Sequence, residues 1–115
     1  MLGLGSSLSS VNSSLFRNSY SLEFDGSDSY VDVGSPSTGT GAKTLAMWVN
    51  PDTIVNNDRI ISNTDNSNFS IRFDSGNVEV WGAGGWGSMF SNPSTSTWTH
   101  FAFVFDGSTN VTGYK

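Results

Sequence analysis

The chain has 115 residues, a length that fits one domain, and it contains no cysteine, which excludes disulfides and thiolate metal sites. Its net charge is −5 and its five basic residues are scattered, so it lacks the clustered positive charge that nucleic-acid binding requires. No apolar run approaches the roughly 18 residues of a transmembrane helix, so we expect no membrane insertion.

The polar composition is rich in hydroxyl and amide side chains. Charged residues make up 13% of the chain, whereas Ser, Thr and Asn together number 42. A surface that is polar but carries little charge suits an extracellular or virion-associated protein and suits contact with sugars, which offer hydroxyl groups. The acidic balance also leaves room for a hard cation such as calcium.

The chain divides by composition at about Tyr20. Residues 1–19 are Ser, Gly and Asn with isolated leucines and show no periodicity, which predicts a flexible N-terminal segment. The alternative for this stretch is an attachment segment that pairs with another chain. Residues 20–115 carry the strand-like patterns and form the predicted domain.

Apolar residues then alternate with a period of two along most of the chain, which predicts an all-β fold. The predicted strands are 20–24, 30–33, 44–49, 59–62, 69–73, 78–81, 101–105 and 111–115. The strands 44–49 and 101–105 are apolar on both faces, so we expect both to be central. Residues 82–88 are rich in glycine and are predicted to form a flexible loop that holds Trp86.

Asp followed closely by Gly ends three of these apolar runs, at Asp25, Asp74 and Asp106. This combination is typical of tight turns between antiparallel strands. Trp48 and Trp98 alternate with apolar neighbours and are therefore predicted to lie in the core. His100 is the only histidine, so a catalytic or metal-binding role would lack partners, and we interpret it as a structural strand residue.

Three segments follow one another along the chain, SLEFDGSDSYVDV at 21–33, TLAMWVNP at 44–51 and WTHFAFVFDGS at 98–108. Together they resemble the laminin G-like, concanavalin A-like lectin/glucanase superfamily, in its pentraxin-related branch. The resemblance implies an antiparallel jelly-roll sandwich. Domains of this family are longer, so we expect the sandwich to be incomplete at its C-terminus, either as a fragment or as a fold that another chain completes.

The resemblance also implies two kinds of site. Loops of this superfamily often hold calcium, and Asp25 and Asp28 are the candidate ligands; the alternative is that Asp25, like Asp106, only bonds the backbone of its own turn. For a glycan, the candidates are Trp81 and Trp86 as stacking rings, with Asn63 and Asp65 as hydroxyl partners. The alternative is that Trp81 lies in the core and Trp86 anchors a loop.

The sequence predicts a protein that is not an enzyme. Glycosidases of this fold use clustered carboxylates, whereas Glu23 and Glu79 stand on separate strands. The leading hypothesis is a carbohydrate- or surface-binding module of a phage virion or a secreted bacterial protein, whose partner is a glycan or cell-surface polysaccharide. The alternative is a structural or assembly domain that associates with itself or with other virion subunits.

Overall fold

The computed structural model of the protein describes residues 19–34, 41–63, 69–82 and 85–115. The chain forms two compact units, Met1–Gly34 and Ser35–Lys115. The described residues contain seven strands and no helix. The strands are β1 (Lys43–Val49), β2 (Asp58–Ser62), β3 (Ser70–Asp74), β4 (Asn77–Gly82), β5 (Gly85–Ser91), β6 (Thr99–Phe105) and β7 (Val111–Tyr114).

The strands of the second unit form two antiparallel sheets, which confirms the all-β sandwich. One sheet has three strands in the order β1–β6–β7, and the other has four in the order β2–β3–β4–β5. The two sheets share one core, because side chains from both are buried together. The buried apolar residues are Phe69, Ile71, Phe73, Val78, Val80, Phe101, Phe103 and Phe105.

Phenylalanine rings connect the two sheets inside the core. Phe90 of β5 stacks on Phe101 of β6, with ring centroids 5.8 Å apart and planes inclined by 18°. Its ring also lies close to Gly113 of β7, where a Cβ atom would stand 2.6 Å from Phe90 Cζ. A glycine at position 113 therefore lets the β5 ring reach the backbone of the opposite sheet.

Two of the predicted Asp-Gly turns connect neighbouring strands. Ser75 and Gly76, with φ of 50° and 81°, join β3 to β4, as expected for a two-residue hairpin with positive φ at both central positions. Asp106 begins the turn between β6 and β7, where Gly107 has φ 83°. The predicted pairing of residues 111–115 with the strand before them is confirmed.

The first unit differs from the prediction. Residues 19–34 contain no strand, so the predicted strands 20–24 and 30–33 are wrong for this structure. Side-chain alternation alone does not make a strand, because the backbone must also pair with a neighbour along a hydrogen-bonded ladder. The predicted flexible segment 1–19 lies, apart from Ser19, outside the described residues.

Two further predictions about strands are corrected. The three-stranded sheet has β6 in the middle and β1 at its side, so the expectation that both are central holds only for β6. The predicted loop 82–88 is wrong, because β5 begins at Gly85 and pairs with β4. Gly85 and Gly87 alternate with Trp86 and Ser88, and a glycine without a side chain hides the period of a strand.

Candidate functional site

The two tryptophans predicted to bind ligand face each other across β4 and β5. Trp81 pairs with Trp86 in the strand register, and their rings meet edge to face, with centroids 5.4 Å apart and planes at 72°. Both are partly buried. Val80 points to the core, so Trp81 lies on the outer face of the four-stranded sheet. Trp86 is therefore a strand residue of this face and not a projecting loop residue.

Arg72 of β3 lies against the Trp86 ring on the same face. Its guanidinium carbon is 4.0 Å from the ring centroid, within the range of a cation–π interaction. Arg59, its partner in the β2–β3 register, has its guanidinium carbon 5.9 Å from that centroid. The aromatic pair is thus bordered by two cationic side chains, which the sequence did not predict.

Two carboxylates hold Arg72 in place. Arg72 Nη2 is 2.7 Å from Asp74 Oδ2 and 2.8 Å from Glu79 Oε2, and Arg72 Nε donates a 3.0 Å hydrogen bond to Glu79 Oε2. All three side chains are about 15% exposed, so water screens these contacts only in part. Arg72 Nη1 also donates to Asn57 Oδ1. The guanidinium is fixed from several directions and so holds the indole in one place.

The polar edge of this cluster is accessible at Ser88. The Ser88 hydroxyl donates a 3.3 Å hydrogen bond to Glu79 Oε1, and Ser88 itself is exposed. We call Arg72, Glu79, Trp81, Trp86 and Ser88 the Trp86 cluster. It combines aromatic surface, a carboxylate and a hydroxyl on a rigid sheet, the groups with which a pocket or surface orients a polar ligand.

The other predicted ligand-binding residues lie at the same end of the sheet or outside the description. Asn63 directly follows β2, is partly buried, and its backbone N–H donates to the carbonyl of Phe69 at 3.2 Å. Ser62 and Ser70 are in register with Trp81, so Asn63 stands at the sheet end that bears the two tryptophans. Asp65 lies outside the described residues.

Asp25 bonds the backbone of its own turn. Its Oδ1 accepts from the N–H groups of Ser27 at 2.9 Å, Asp28 at 3.3 Å and Ser29 at 3.2 Å. These bonds, with Ser27 first, stabilise the carboxylate and lower the pKa of Asp25 to about 2. The turn bonds predicted for this aspartate are therefore present, and calcium binding by Asp25 and Asp28 stays a prediction.

Asp106 makes the same arrangement in the turn before β7. The pKa of Asp106 is lowered to about 2, chiefly by the Ser108 N–H, which donates at 2.8 Å, and then by the Asn110 side-chain amide at 2.7 Å.

For calcium, Asp25 and Asp28 alone supply fewer than the about six to eight oxygen ligands that this ion takes. Within the described ranges, no three His, Cys, Asp or Glu side chains form a group suited to a metal.

A cavity of about 270 Å³ opens beside the glycine-rich end of β4 and β5. Its walls include Gly82, Gly87 and Met89 from this sheet and Thr109 and Val111 from the chain at the start of β7. Gly82 approaches Val111 closely, since a Cβ there would stand 3.0 Å from Val111 Cγ2. Because the glycines have no side chains, a gap remains between the sheets. The described residues that line this gap carry no charge.

The prediction that Trp48 and Trp98 lie in the core is wrong. Trp48 is 63% exposed and Trp98 is 51% exposed. Along β1 the partly buried positions carry Leu45, Met47 and Val49, while Trp48 is out of phase with them on the opposite face. The sequence carries a signal for this exposure, because the residues that share the face of Trp48 in β1 are Thr44 and Ala46, which are polar or small. His100 lies beside Trp48, with ring centroids 5.1 Å apart.

The two antiparallel sheets and their shared core define a β-sandwich. A family model described as the concanavalin A-like lectin/glucanases superfamily matches residues 25–114, and the chain belongs to this family. Comparisons with curated proteins and with solved structures gave no significant match. In the part of the chain that the structure describes, no helix is long and apolar enough to cross a membrane.

Proposed function

We propose that this domain is a non-catalytic carbohydrate-binding module whose ligand lies on the Trp86 cluster. The observation that carries the proposal is the contact of the Trp86 indole with both Trp81 and Arg72, next to the exposed hydroxyl of Ser88. A sugar ring presents C–H groups to an aromatic face and hydroxyl groups at its rim. The exposed parts of the two indoles and the hydroxyl of Ser88 are the groups that such a ring would meet.

The rigidity of the cluster favours binding. Trp86 belongs to a strand, and Arg72 is itself held by Asp74 and Glu79, so little side-chain entropy is lost when a ligand docks. Ser88 is the exposed hydroxyl partner in the middle of the face, and Glu79 accepts its hydrogen bond. Asn63 extends the same surface toward the end of β2, and a role for Asp65 as a further hydroxyl partner stays a prediction from the sequence.

The carboxylates of this face do not fit a glycosidase. Asp74 and Glu79 approach each other, but Arg72 Nη2 stands between them and contacts both. In a retaining glycosidase the space between two carboxylates, about 5 Å across, must admit the scissile bond. Here a guanidinium fills that space, which supports a binding role for the two acids as anchors of Arg72.

The test is a glycan array probed with the purified full chain and two single variants. Trp86→Ala removes the central ring and should abolish the signal for any glycan that the wild type binds. Val55→Ala shortens an exposed apolar side chain outside the Trp86 cluster and should leave that signal unchanged. An array signal that survives in Trp86→Ala would overturn the proposal.

The partner in this proposal is a glycan or cell-surface polysaccharide, met outside the cell or on a virion. The hydroxyl-rich composition, with only 13% charged residues, and the lectin-like family support it. A calcium ion at Asp25 and Asp28 is a subsidiary proposal. It predicts that calcium raises the midpoint of thermal unfolding relative to EDTA, and that Asp28→Asn removes the difference; an equal midpoint in both buffers contradicts it.

A second candidate function is assembly. It is favoured by β1 and β7, which flank the three-stranded sheet and each pair on one side only with β6 in the described residues. Such edges can accept a strand from another chain. Light scattering over a range of concentrations tests this function. A constant monomer mass argues against self-assembly through these edges.

A further inference from the structure

The outer face of the three-stranded sheet carries a second group of exposed aromatic residues. Tyr114 of β7 is 58% exposed, and Trp48 and Trp98 are exposed as given above. His100 of β6 is exposed and pairs with Trp48 in the register. We call Trp48, Trp98, His100 and Tyr114 the aromatic strip. It lies on the opposite sheet from the Trp86 cluster.

The register fixes the spacing of the strip. Trp48 pairs with His100, whereas Tyr114 pairs with Ala102, which in turn pairs with Ala46. Two strand spacings across the sheet and two residues along it separate the Cα atoms of Trp48 and Tyr114, or roughly 12 Å. The alanines between the two rings leave a shallow floor, so both rings stand above a flat surface over a distance close to the length of a disaccharide.

The strip carries no formal charge. In β1, β6 and β7, all of which the structure describes, the only Lys, Arg, Asp or Glu is Lys43, and Lys43 lies on the core side. Its ammonium group is 5.7 Å from the Phe69 ring centroid and 5.9 Å from that of Phe105. The outward residues around the rings are Thr44, Ala46, Ala102, Val104 and Thr112.

These features select the chemistry of the partner. A neutral ligand fits this face, because the outward strand positions hold no Lys, Arg, Asp or Glu whose charge would lose its hydration on binding. A second copy of the chain would bring two molecules of net charge −5 together, which opposes close approach at low salt. An extended partner suits rings that are spread over a flat sheet better than a compact one, which would seat in a pocket.

We infer that the aromatic strip is a second binding surface, for a neutral polysaccharide presented as a flat array of chains. The rings of Trp48 and Tyr114 stack on sugar units of a chain that runs across the sheet, and the hydroxyls of Thr44 and Thr112 border it. The inference shares with the proposed function the premise that the protein binds carbohydrate, but it uses different residues and a different physical form of the ligand.

The experiment is a pull-down of the full chain with microcrystalline cellulose and with β-chitin, two insoluble neutral polysaccharides. Wild type, Trp48→Ala, Tyr114→Ala and Val55→Ala are compared at equal concentration, with the fraction bound as readout. We expect Trp48→Ala and Tyr114→Ala each to weaken binding about tenfold or more, as the loss of an aromatic anchor does elsewhere. Val55→Ala shortens an exposed apolar side chain that belongs to neither aromatic surface and is expected to bind like the wild type.

Three outcomes would overturn the inference. They are no binding of the wild type to either solid, equal binding by Trp48→Ala, and a wild-type dimer in solution that Trp48→Ala converts to a monomer. The last would make the strip an interface between copies. Ala46→Glu provides a second variant, since it places a charge between the rings and should abolish binding while the rings remain. Failure here with an array signal that depends on Trp86 leaves the proposed function standing.

Discussion

The guanidinium carbon of Arg72 lies 4.0 Å from the centre of the Trp86 ring, while its nitrogens bond Asp74 and Glu79. One side chain thus ties the middle strands of the four-stranded sheet to the indole on its edge strand. The sandwich does not need this contact for its core, which faces the other way. The contact instead organises the outer face, which is why we assign that face a ligand.

Replacing Arg72 should destabilise the protein more than its surface position suggests. In Arg72→Met the carboxylates of Asp74 and Glu79 lose their shared partner and face each other. We expect a loss of about 1–3 kcal/mol in the free energy of unfolding, measured in urea at pH 7. Arg72→Met combined with Glu79→Gln removes one of the opposed charges and should recover part of the loss. Wild-type stability in Arg72→Met would show that the pairs contribute nothing.

Adding one methyl group at Gly113 should disturb the contact between the sheets. The new Cβ would stand 2.6 Å from Phe90 Cζ, closer than atoms pack, so Phe90 must leave its position against Phe101. Overpacking of this kind costs about 1–3 kcal/mol. Gly85→Ala is the matched control, because nothing lies within 4 Å of its Cβ position. Equal thermal midpoints for the two variants would contradict the described packing.

The exposed and buried aromatic residues should respond differently to truncation. Phe101 is completely buried, so Phe101→Ala should cost about 3–5 kcal/mol in the free energy of unfolding. Trp48 is 63% exposed, and Trp48→Ala should change that free energy by no more than about 0.5 kcal/mol. Urea unfolding of both variants measures the contrast. A large loss of unfolding free energy in Trp48→Ala would show that this side chain is buried in the core.

The turn before β7 should lose stability in acid. The pKa of Asp106 in the folded protein is about 2, below its ordinary value of 3.8, so folding favours the carboxylate. Its contribution is complete above the ordinary value and is lost as pH falls from there through about 2. The thermal midpoint of wild type should fall more steeply across this window than that of Asp106→Asn. Parallel curves, or an Asp106 carboxyl that titrates near 3.8 by NMR, would refute this.

Much of the sandwich is readable from local pattern, because alternation and turn chemistry are local. Phe101, Phe103 and Phe105 repeat at every second position and are buried, and Ser75 with Gly76 forms the expected hairpin. A glycine-rich strand such as β5 shows no clear alternation of apolar side chains, so the pattern does not predict it. The exposure of Trp48 depends on whether a further layer covers β1, and an apolar residue by itself does not report that.

The candidate site was predictable only in part. Trp81 and Trp86 were identified as a pair because they flank a glycine-rich stretch, but their strand pairing was not. Arg72 and Glu79 lie seven positions apart in sequence and become cross-strand neighbours only through the β3–β4 register. Charged residues on separate predicted strands carry no signal of contact until the register is known.

The central claim is that the Trp86 cluster binds a glycan, and a comparison of glycan affinity between Trp86→Ala and the control Val55→Ala tests it most directly. Any glycan that the wild type binds on an array is taken to titration calorimetry with both variants. The account predicts that Trp86→Ala weakens binding about tenfold or more, a loss of about 1.4 kcal/mol, and that Val55→Ala keeps the wild-type affinity. Unchanged affinity in Trp86→Ala, or a wild type that binds no glycan, would contradict it.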